Sequence, residues 1–384
     1  MNKPTVAVIF GSRSTEHDVS IITALASVIK PLKLSQKYHV VPVYIAKDGK
    51  WYSDRALEDI KLFTSGSITE WCQKHESIQL SIGDGLKLVR PGFRKKATIV
   101  DVVFPALHGT HGEDGEVMAV LELANIPYVG CSVPASVVAM DKVLAKQVAL
   151  QQHIPTAKFV HFTKYEFERA PASWTKQIND SLHYPVFVKP AHLGSSIGIS
   201  RVANKEELSN AIEVALHYDD RALVEEAIDN LIEVTLPIIG NDKPKPALLE
   251  QPLTRPEDFF DFDTKYMQGG KKGKGSKGAQ GYSQLPADLP KELYQKAEAL
   301  GVAVYKALGC SGIARVDMLI DSITQTVYFN EVNPLPGSLY SHNWNKAGMS
   351  NVELVSTLID LAFERHGQQT KLETTFGTNY LAQF

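Results

Sequence analysis

An uninterrupted apolar run, Thr5 to Phe10, is closed by Gly11. A polar loop from Ser12 to His17 follows. Then Ile21, Ile22, Leu25, Val28 and Ile29 recur at the spacing of a helix face. Pro31, which lacks a backbone N–H, should end or kink that helix. Residues 39–45 (HVVPVYI) return to a strand pattern. Strand, loop, helix, strand predicts a βαβ unit and a parallel sheet. Residues 98–107 (TIVDVVFPAL) predict a third buried strand, running into the glycine-rich loop His108–Gly115. In open parallel sheets ligands bind at such carboxyl ends. A helix at 116–124 and a short strand at 126–129 follow. Residues 51–97 are polar, mixed and without clear period, and read as a variable excursion of the first domain.

A second unit starts near Ala135. Asp141 can cap a helix from Lys142 to about His153. Strands are predicted at 156–162, 185–189 and 222–226, with a helix at 205–217 and a Gly-Ser loop, Gly194-Ser195-Ser196-Ile197-Gly198. The third unit holds strands at 232–239 and 246–250, a polar loop at 265–284 and a helix at 289–308. Two strands, 312–320 and 326–332, share a short turn, and a helix at 351–366 follows. These boundaries divide the chain into 1–134, 135–230 and 231–384.

Composition narrows the class. The 384 residues are 44% hydrophobic and 22% charged, enough to bury a sizeable core and too apolar for a disordered chain. A net charge of −3 gives no basic field for nucleic acid or membrane. The first apolar run is too short for a signal-peptide core or a membrane span. The three cysteines, Cys72, Cys131 and Cys310, are odd in number and widely spaced, which suits a reducing, cytoplasmic setting.

The strongest chemical signal is the strand pair at 312–332. Arg315 and Asp317 are two apart and share a face, as do Glu331 and Asn333. A turn near Ser322–Thr324 sets Asp317 opposite Glu331. Two facing carboxylates repel, and a bound cation removes the repulsion. Hard oxygen ligands of this kind suit Mg²⁺; an exposed polar hairpin face is the alternative. The Gly-Ser loop after Lys189-Pro190 can offer backbone N–H groups to phosphate, or be an ordinary turn. Lys142 alone is a helix lysine. Residues 265–281 carry five lysines and six glycines, a pattern for a mobile cationic lid over a polyanion or a solvated linker. In Ser14–Asp18, Thr15 or Asp18 could cap the helix, while Glu16 could hold an ammonium.

Together these stretches resemble the ATP-grasp ligases, and most closely the D-alanine–D-alanine ligase family. The resemblance rests on Glu16-His17-Asp18-Val19-Ser20, Ala106-Leu107-His108-Gly109, Gly112-Glu113-Asp114-Gly115, Met140-Asp141-Lys142, Val188-Lys189-Pro190, Gly194-Ser195-Ser196, Lys265-Tyr266, Pro286-Ala287-Asp288-Leu289, Arg315-Val316-Asp317 and Asn330-Glu331-Val332-Asn333, in family order. It implies an α/β chain: an N-terminal open parallel-sheet domain, then a two-part ATP-grasp fold with a central and a C-terminal α+β subdomain.

The resemblance also implies roles. Lys142, Lys189 and Lys265 would contact ATP, with Glu225, Glu226 and Ile228 at the adenine. Glu233 would be the candidate at the ribose, two residues beyond the Leu231 register at which such ligases often carry Glu. Asp317, Glu331 and Asn333 would hold two Mg²⁺, or Mn²⁺. Glu16 would bind the ammonium of the first D-alanine and join Ser195 and Tyr266, with His108 nearby. Arg315 and Gly337 would meet the oxyanion. Ser341, His342 or Asn343 would take the carboxylate of the second substrate, from a run, Ser338–Trp344, that departs from the family's usual turn. Met118 stands where Gln is frequent. The implied activity is D-Ala–D-Ala synthesis through an acyl phosphate for peptidoglycan precursors, by an enzyme that binds small molecules (ATP and D-alanine) and no nucleic acid or membrane, with a homodimer as a possible assembly. A D-lactate-using depsipeptide ligase, another ATP-grasp carboxylate–amine ligase and a non-catalytic nucleotide binder are the alternatives. Tyr266 favours the dipeptide.

Overall fold

A computed structural model describes residues 3–83, 85–92, 96–253 and 283–384. Strand β1 (Thr5–Gly11) is buried from Val6 onward, as its apolar run requires. The helix behind it runs through Pro31 rather than ending there. α1 (His17–Ile22), a π-helical stretch (Thr23–Ile29) and α2 (Lys30–Ser35) follow without a break. The wider π turn lies just where an α-turn would set the proline ring against the Ser27 carbonyl. β2 (His39–Ile45) pairs parallel to β1, confirming the βαβ reading, and β3 (Trp51–Tyr52) turns back antiparallel.

The stretch without period is not unstructured. It forms α3 (Ile60–Thr64), α4 (Ile68–Lys74) and a three-stranded antiparallel sheet of β4 (Gln79–Gly83), β5 (Gly85–Val89) and β6 (Ala97–Val100). Elements of four to seven residues are too short to display a period. The single strand expected at 98–107 divides at Asp101. β6 joins the small sheet, and β7 (Val102–Pro105) lies parallel to β1. The strand expected at 126–129 reduces to one parallel bridge, Val103 with Tyr128. α5 (Glu116–Leu123) buries Met118 and Leu121 beneath the parallel sheet.

α6 (Val133–Met140) and α7 (Lys142–Gln151) meet at Asp141, whose carboxylate accepts the N–H of Val143 and of Leu144, the cap the sequence predicts. Then come β8 (Phe159–Thr163), α8 (Lys164–Arg169), α9 (Pro171–Ser181), β9 (Val186–Pro190), β10 (Ser200–Val202), α10 (Leu208–Tyr218) and β11 (Arg221–Glu226). The strands form an antiparallel sheet in the order β10-β9-β11-β8, with α10 packed on Val186, Val188 and Val224.

β12 (Leu231–Gly240) starts the third large sheet. The strand expected at 246–250 is fragmentary: β13 (Lys245–Pro246) pairs with β12, and Glu250 bridges to Thr235. β14 (Gln251–Pro252) and β15 (Ser283–Gln284) pair with each other. α11 (Lys291–Ala307), β16 (Gly312–Asp321) and β17 (Thr326–Asn333) complete an antiparallel sheet ordered β13-β12-β16-β17. α12 (Ser341–Lys346) is short, and α13 (Asn351–Gln369) is the last long helix. α13 shares one core with the first sheet: Leu354, Val355, Leu358 and Ile359 pack with Val6, Val8, Phe10 and Leu32. Among the described residues no helix is long and apolar enough to cross a membrane.

Candidate active site

The third sheet presents a row of polar side chains across its strands. β16 and β17 pair Arg315 with Asn333 and Asp317 with Glu331, so the two carboxylates face each other as expected. β12 sets Thr235 beside Asp317, and Glu250 bridges to Thr235 on the far side. Arg315 locks onto Asp317, with Nε donating to Oδ1 at 2.7 Å and Nη2 to Oδ2. Asn333 Nδ2 donates to Asp317 Oδ2 at 3.0 Å, which leaves its carbonyl oxygen for another partner. The Arg315 guanidinium lies over the Tyr340 ring, 5.0 Å from its centre. Glu331 Oε2 is 3.6 Å from Lys142 Nζ.

The lysines come from the middle sheet. Lys142 opens α7 and donates to the carbonyl of Leu193 at 2.6 Å, latching the Gly-Ser loop. Lys189, on β9, ion-pairs with Glu225 on β11. A third lysine, absent from the sequence reading, shares that carboxylate: Lys146 Nζ is 2.9 Å from Glu225 Oε2. All three groups are buried. Burial opposes the ionisation of Glu225, but the two ammonium groups outweigh it and hold the carboxyl down to about 2. Burial lowers Lys146, while Glu225 and Glu331 outweigh burial at Lys189 and raise it. Glu225 is therefore a buried bridge between two lysines. Glu226, one residue on, faces the other side of the strand and accepts from the backbone and ring of His183. Ile228 is half-buried beyond the strand's end. Glu233, on β12, is near enough to Lys189 to add to the charges that hold its ammonium.

Glu16 stands at the start of α1. No side chain caps that helix, so the capping alternative for Thr15 and Asp18 fails. Ser195 Oγ donates to Glu16 Oε1, joining the first sheet to the Gly-Ser loop. Ser195 and Ser196 both hold left-handed backbone, at φ 54° and 60°. Gly109 lets the chain pass close to Glu16: a Cβ there would meet Glu16 Oε2 at 2.7 Å. Burial chiefly, and then Glu331, raise the Glu16 carboxyl against the Ser195 bond, Arg315 and Lys142.

A buried carboxylate that sequence alone did not single out lies beside it. Glu113 accepts from the N–H of Gly109 at 3.1 Å and of Leu335 at 3.2 Å, tying the glycine-rich loop to the loop before Gly337. Burial and the nearby Glu16 push its carboxyl well up. His108 stands behind this wall. Its Nε2 is 2.8 Å from Thr23 Oγ1, which also accepts from the Ser338 N–H. Burial, with Arg315 adding to it, pushes His108 down to about 4, so the ring is neutral at physiological pH.

Gly337 begins a 3-10 turn in which Ser338, Leu339 and Tyr340 are all left-handed. Ser341 opens α12. His342 does not present both nitrogens to a ligand: its Nε2 is 2.8 and 3.0 Å from the two Glu250 oxygens. Asn343 is buried and bonded to Leu248 and Glu250, which removes it as a carboxylate donor. Lys265, Tyr266 and the expected lid at 265–281 lie outside the described residues.

Two family models match in chain order: "D-ala D-ala ligase N-terminus" over residues 5–131 and "D-ala D-ala ligase C-terminus" over residues 148–360. The D-alanine–D-alanine ligase of Acetivibrio thermocellus is 38% identical over 96% of this chain and 98% of its own. That of Bacillus velezensis is 37% identical over 96% and 100%. The solved D-alanine–D-alanine ligase of Coxiella burnetii has a TM-score of 0.78 at 27% identity, covering 97% of each chain. The VanG D-Ala:D-Ser ligase of Enterococcus faecalis has a TM-score of 0.78 at 31% identity, covering 94% of this chain and 100% of that one. The chain has the ATP-grasp fold and belongs to the D-alanine–D-alanine ligase family.

Proposed function

We propose that this protein joins two molecules of D-alanine into D-alanyl-D-alanine, with ATP cleaved to ADP and phosphate, in the cytoplasm as a step toward peptidoglycan precursors. One observation carries the reading. Glu331 and Asn333 line a cleft together with Lys142, Glu113 and the Glu16–Ser195 pair, and across the ladder from these two stand Asp317 and Arg315. Glu16 holds the ammonium of the first D-alanine and directs its carboxylate toward the γ-phosphate. Lys142 and Lys189 neutralise the phosphoryl group in transfer. Arg315, fixed by Asp317 and Tyr340, meets the oxyanion when the second amine attacks the acyl phosphate. Asp317, Glu331 and the carbonyl of Asn333 are the hard oxygen donors that would hold Mg²⁺, whose charge would offset the facing carboxylates and the phosphates. The boundaries near 134 and 230 divide the chain into the units that close around this cleft.

The test is a product screen. The protein is given ATP, Mg²⁺ and D-alanine with a panel of second substrates, D-alanine, D-serine, D-lactate and glycine, and products are read by mass spectrometry. D-Ala–D-Ala as the main product is expected at neutral pH. A dominant ester or D-Ala–D-Ser product would reassign the acceptor, and ATP turnover without any D-alanine adduct would reject the reading.

A further inference from the structure

The reaction requires a proton transfer that the groups above do not provide. An amino acid at neutral pH carries an ammonium, which has no lone pair with which to attack an acyl carbon. The carboxylates of the cleft and of the row behind it are committed elsewhere: Glu16 accepts from Ser195, Glu113 accepts from two backbone N–H groups, Glu331 faces Lys142 Nζ at 3.6 Å, and Asp317 holds Arg315.

At the end of the same row lies Glu250, bridged to Thr235, which is itself beside Asp317. Glu250 is buried, and its two oxygens receive His342 Nε2. Burial opposes its ionisation, but the bonds from His342, Ser283 and Asn343 outweigh burial and hold it below the ordinary carboxylate range. A carboxylate on one ring nitrogen fixes the proton there and leaves a lone pair on the other. That other nitrogen, Nδ1, is shielded from bulk water and has no hydrogen-bond partner among the described residues. The His342 ring is 4.9 Å from the Tyr340 ring, which carries the Arg315 guanidinium 5.0 Å from its centre. The imidazole and the arginine proposed for the oxyanion thus border one aromatic ring. Three consecutive left-handed residues, Ser338, Leu339 and Tyr340, hold this arrangement. Left-handed backbone is costly for residues with a Cβ, and strain of that kind persists where a site requires it.

We propose that His342, oriented by Glu250, is the general base that takes the proton from the acceptor's ammonium. The proposal rests on the ligase reading above. Nδ1 accepts one N–H proton, and the freed nitrogen pair forms the bond to the acyl carbon. The bond from that carbon to the phosphate oxygen then breaks, its electron pair and a second N–H proton leaving with phosphate. The imidazolium is balanced by Glu250 and gives its proton to solvent before the next turnover. His342 meets the titratable groups Glu250 and Tyr340, with Arg315 beyond the Tyr340 ring. Glu250 is a positioning residue.

The test compares two acceptors with the full-length protein, ATP, Mg²⁺ and D-alanine. Hydroxylamine is unprotonated at neutral pH and captures the acyl phosphate as a hydroxamate without a base. With H342Q, kcat for dipeptide should fall about 100-fold while hydroxamate formation persists, and the lost activity should return as pH rises through the acceptor's own ionisation. With E250Q, kcat for dipeptide should fall while the acceptor's KM and hydroxamate formation hold, because the imidazole loses the carboxylate that fixes its proton on Nε2. An unchanged dipeptide rate in H342Q overturns the proposal, and so does an equal loss of both products. A raised KM for the acceptor at constant kcat also overturns it, and would make His342 a carboxylate ligand. If the wild type forms no hydroxamate from D-alanine, the ligase reading itself fails; if it does and the variants are unaffected, only the base assignment fails.

Discussion

Asp317 receives Arg315 in two places and Asn333 in a third, directly across the ladder from Glu331. An Asn at 317 would remove the charge that fixes Arg315 and one of the facing oxygen donors. Asp317→Asn or Glu331→Gln should therefore lower kcat at least ~100-fold at saturating Mg²⁺, as phosphate release would measure. Near-normal turnover in either would remove the metal assignment. Glu16 gives a different signature. Its partner is Ser195 and its proposed ligand is an ammonium, so Glu16→Gln should weaken D-alanine more than ATP in calorimetry; equal losses would mean that it serves only to join the two loops. Asp317 and Glu331 were legible in the sequence because two short steps fix them, the alternation along a strand and the centre of one turn. Glu250 was not, because its place in the row depends on how β12 and the bridge at Thr235 align, which no local pattern encodes. Lys146 left one trace. It falls on the buried stripe of α7 with Val143, Ala145 and Ala149, where a lysine needs a buried partner.

At the scale of elements, Asp141 does more than cap α7. Arg221 donates to it at 3.0 Å, and His192 lies 3.3 Å away while its Nδ1 reaches Asp219 at 2.9 Å. This cluster ties the start of α7 to the end of α10 and to the chain entering the Gly-Ser loop. The bonds to Asp141 and Asp219 raise His192 from its ordinary 6.5 to about 10. The cluster's contribution is therefore full below pH 6.5 and is lost as pH rises toward about 10. His108 runs the other way. Buried neutral at about 4, it favours the folded state fully above 6.5 and less as pH falls toward 4. Melting temperatures should show His192→Gln most destabilising in mildly acidic buffer, with the gap to wild type closing by about pH 10; a gap constant with pH would rule out the charged cluster. The strands and helices of this sheet were legible from period and caps, whereas the fragments between 51 and 97 were too short to show one.

Across the whole molecule, Arg365 of α13 binds the chain that follows α5 to the chain that enters β16. It donates to the carbonyls of Gly130 and Tyr128 and to Ser311 at 2.8 Å, and its guanidinium lies 4.4 Å from the centre of the Tyr128 ring. Arg365→Met should cost about 1–3 kcal/mol for each buried carbonyl left without a donor. Urea unfolding would show this as a lower midpoint; an unchanged midpoint would mean that water replaces the arginine. The sequence division after residue 230 assigns α13 to the last unit. What pattern cannot tell is which apolar face a helix covers, and here α13 covers the first sheet.

That shared core has a consequence for synthesis on the ribosome. β1 and β7 emerge well before the helix that closes one face of their sheet, which begins only at Asn351. At elongation rates of roughly 5–20 residues per second the gap is on the order of tens of seconds, during which Val6, Val8, Phe10 and Phe104 lack part of their native cover. Nascent chains stalled before Asn351 should therefore bind holding chaperones and be cut readily near the first sheet, and both signals should vanish once α13 is released from the exit tunnel.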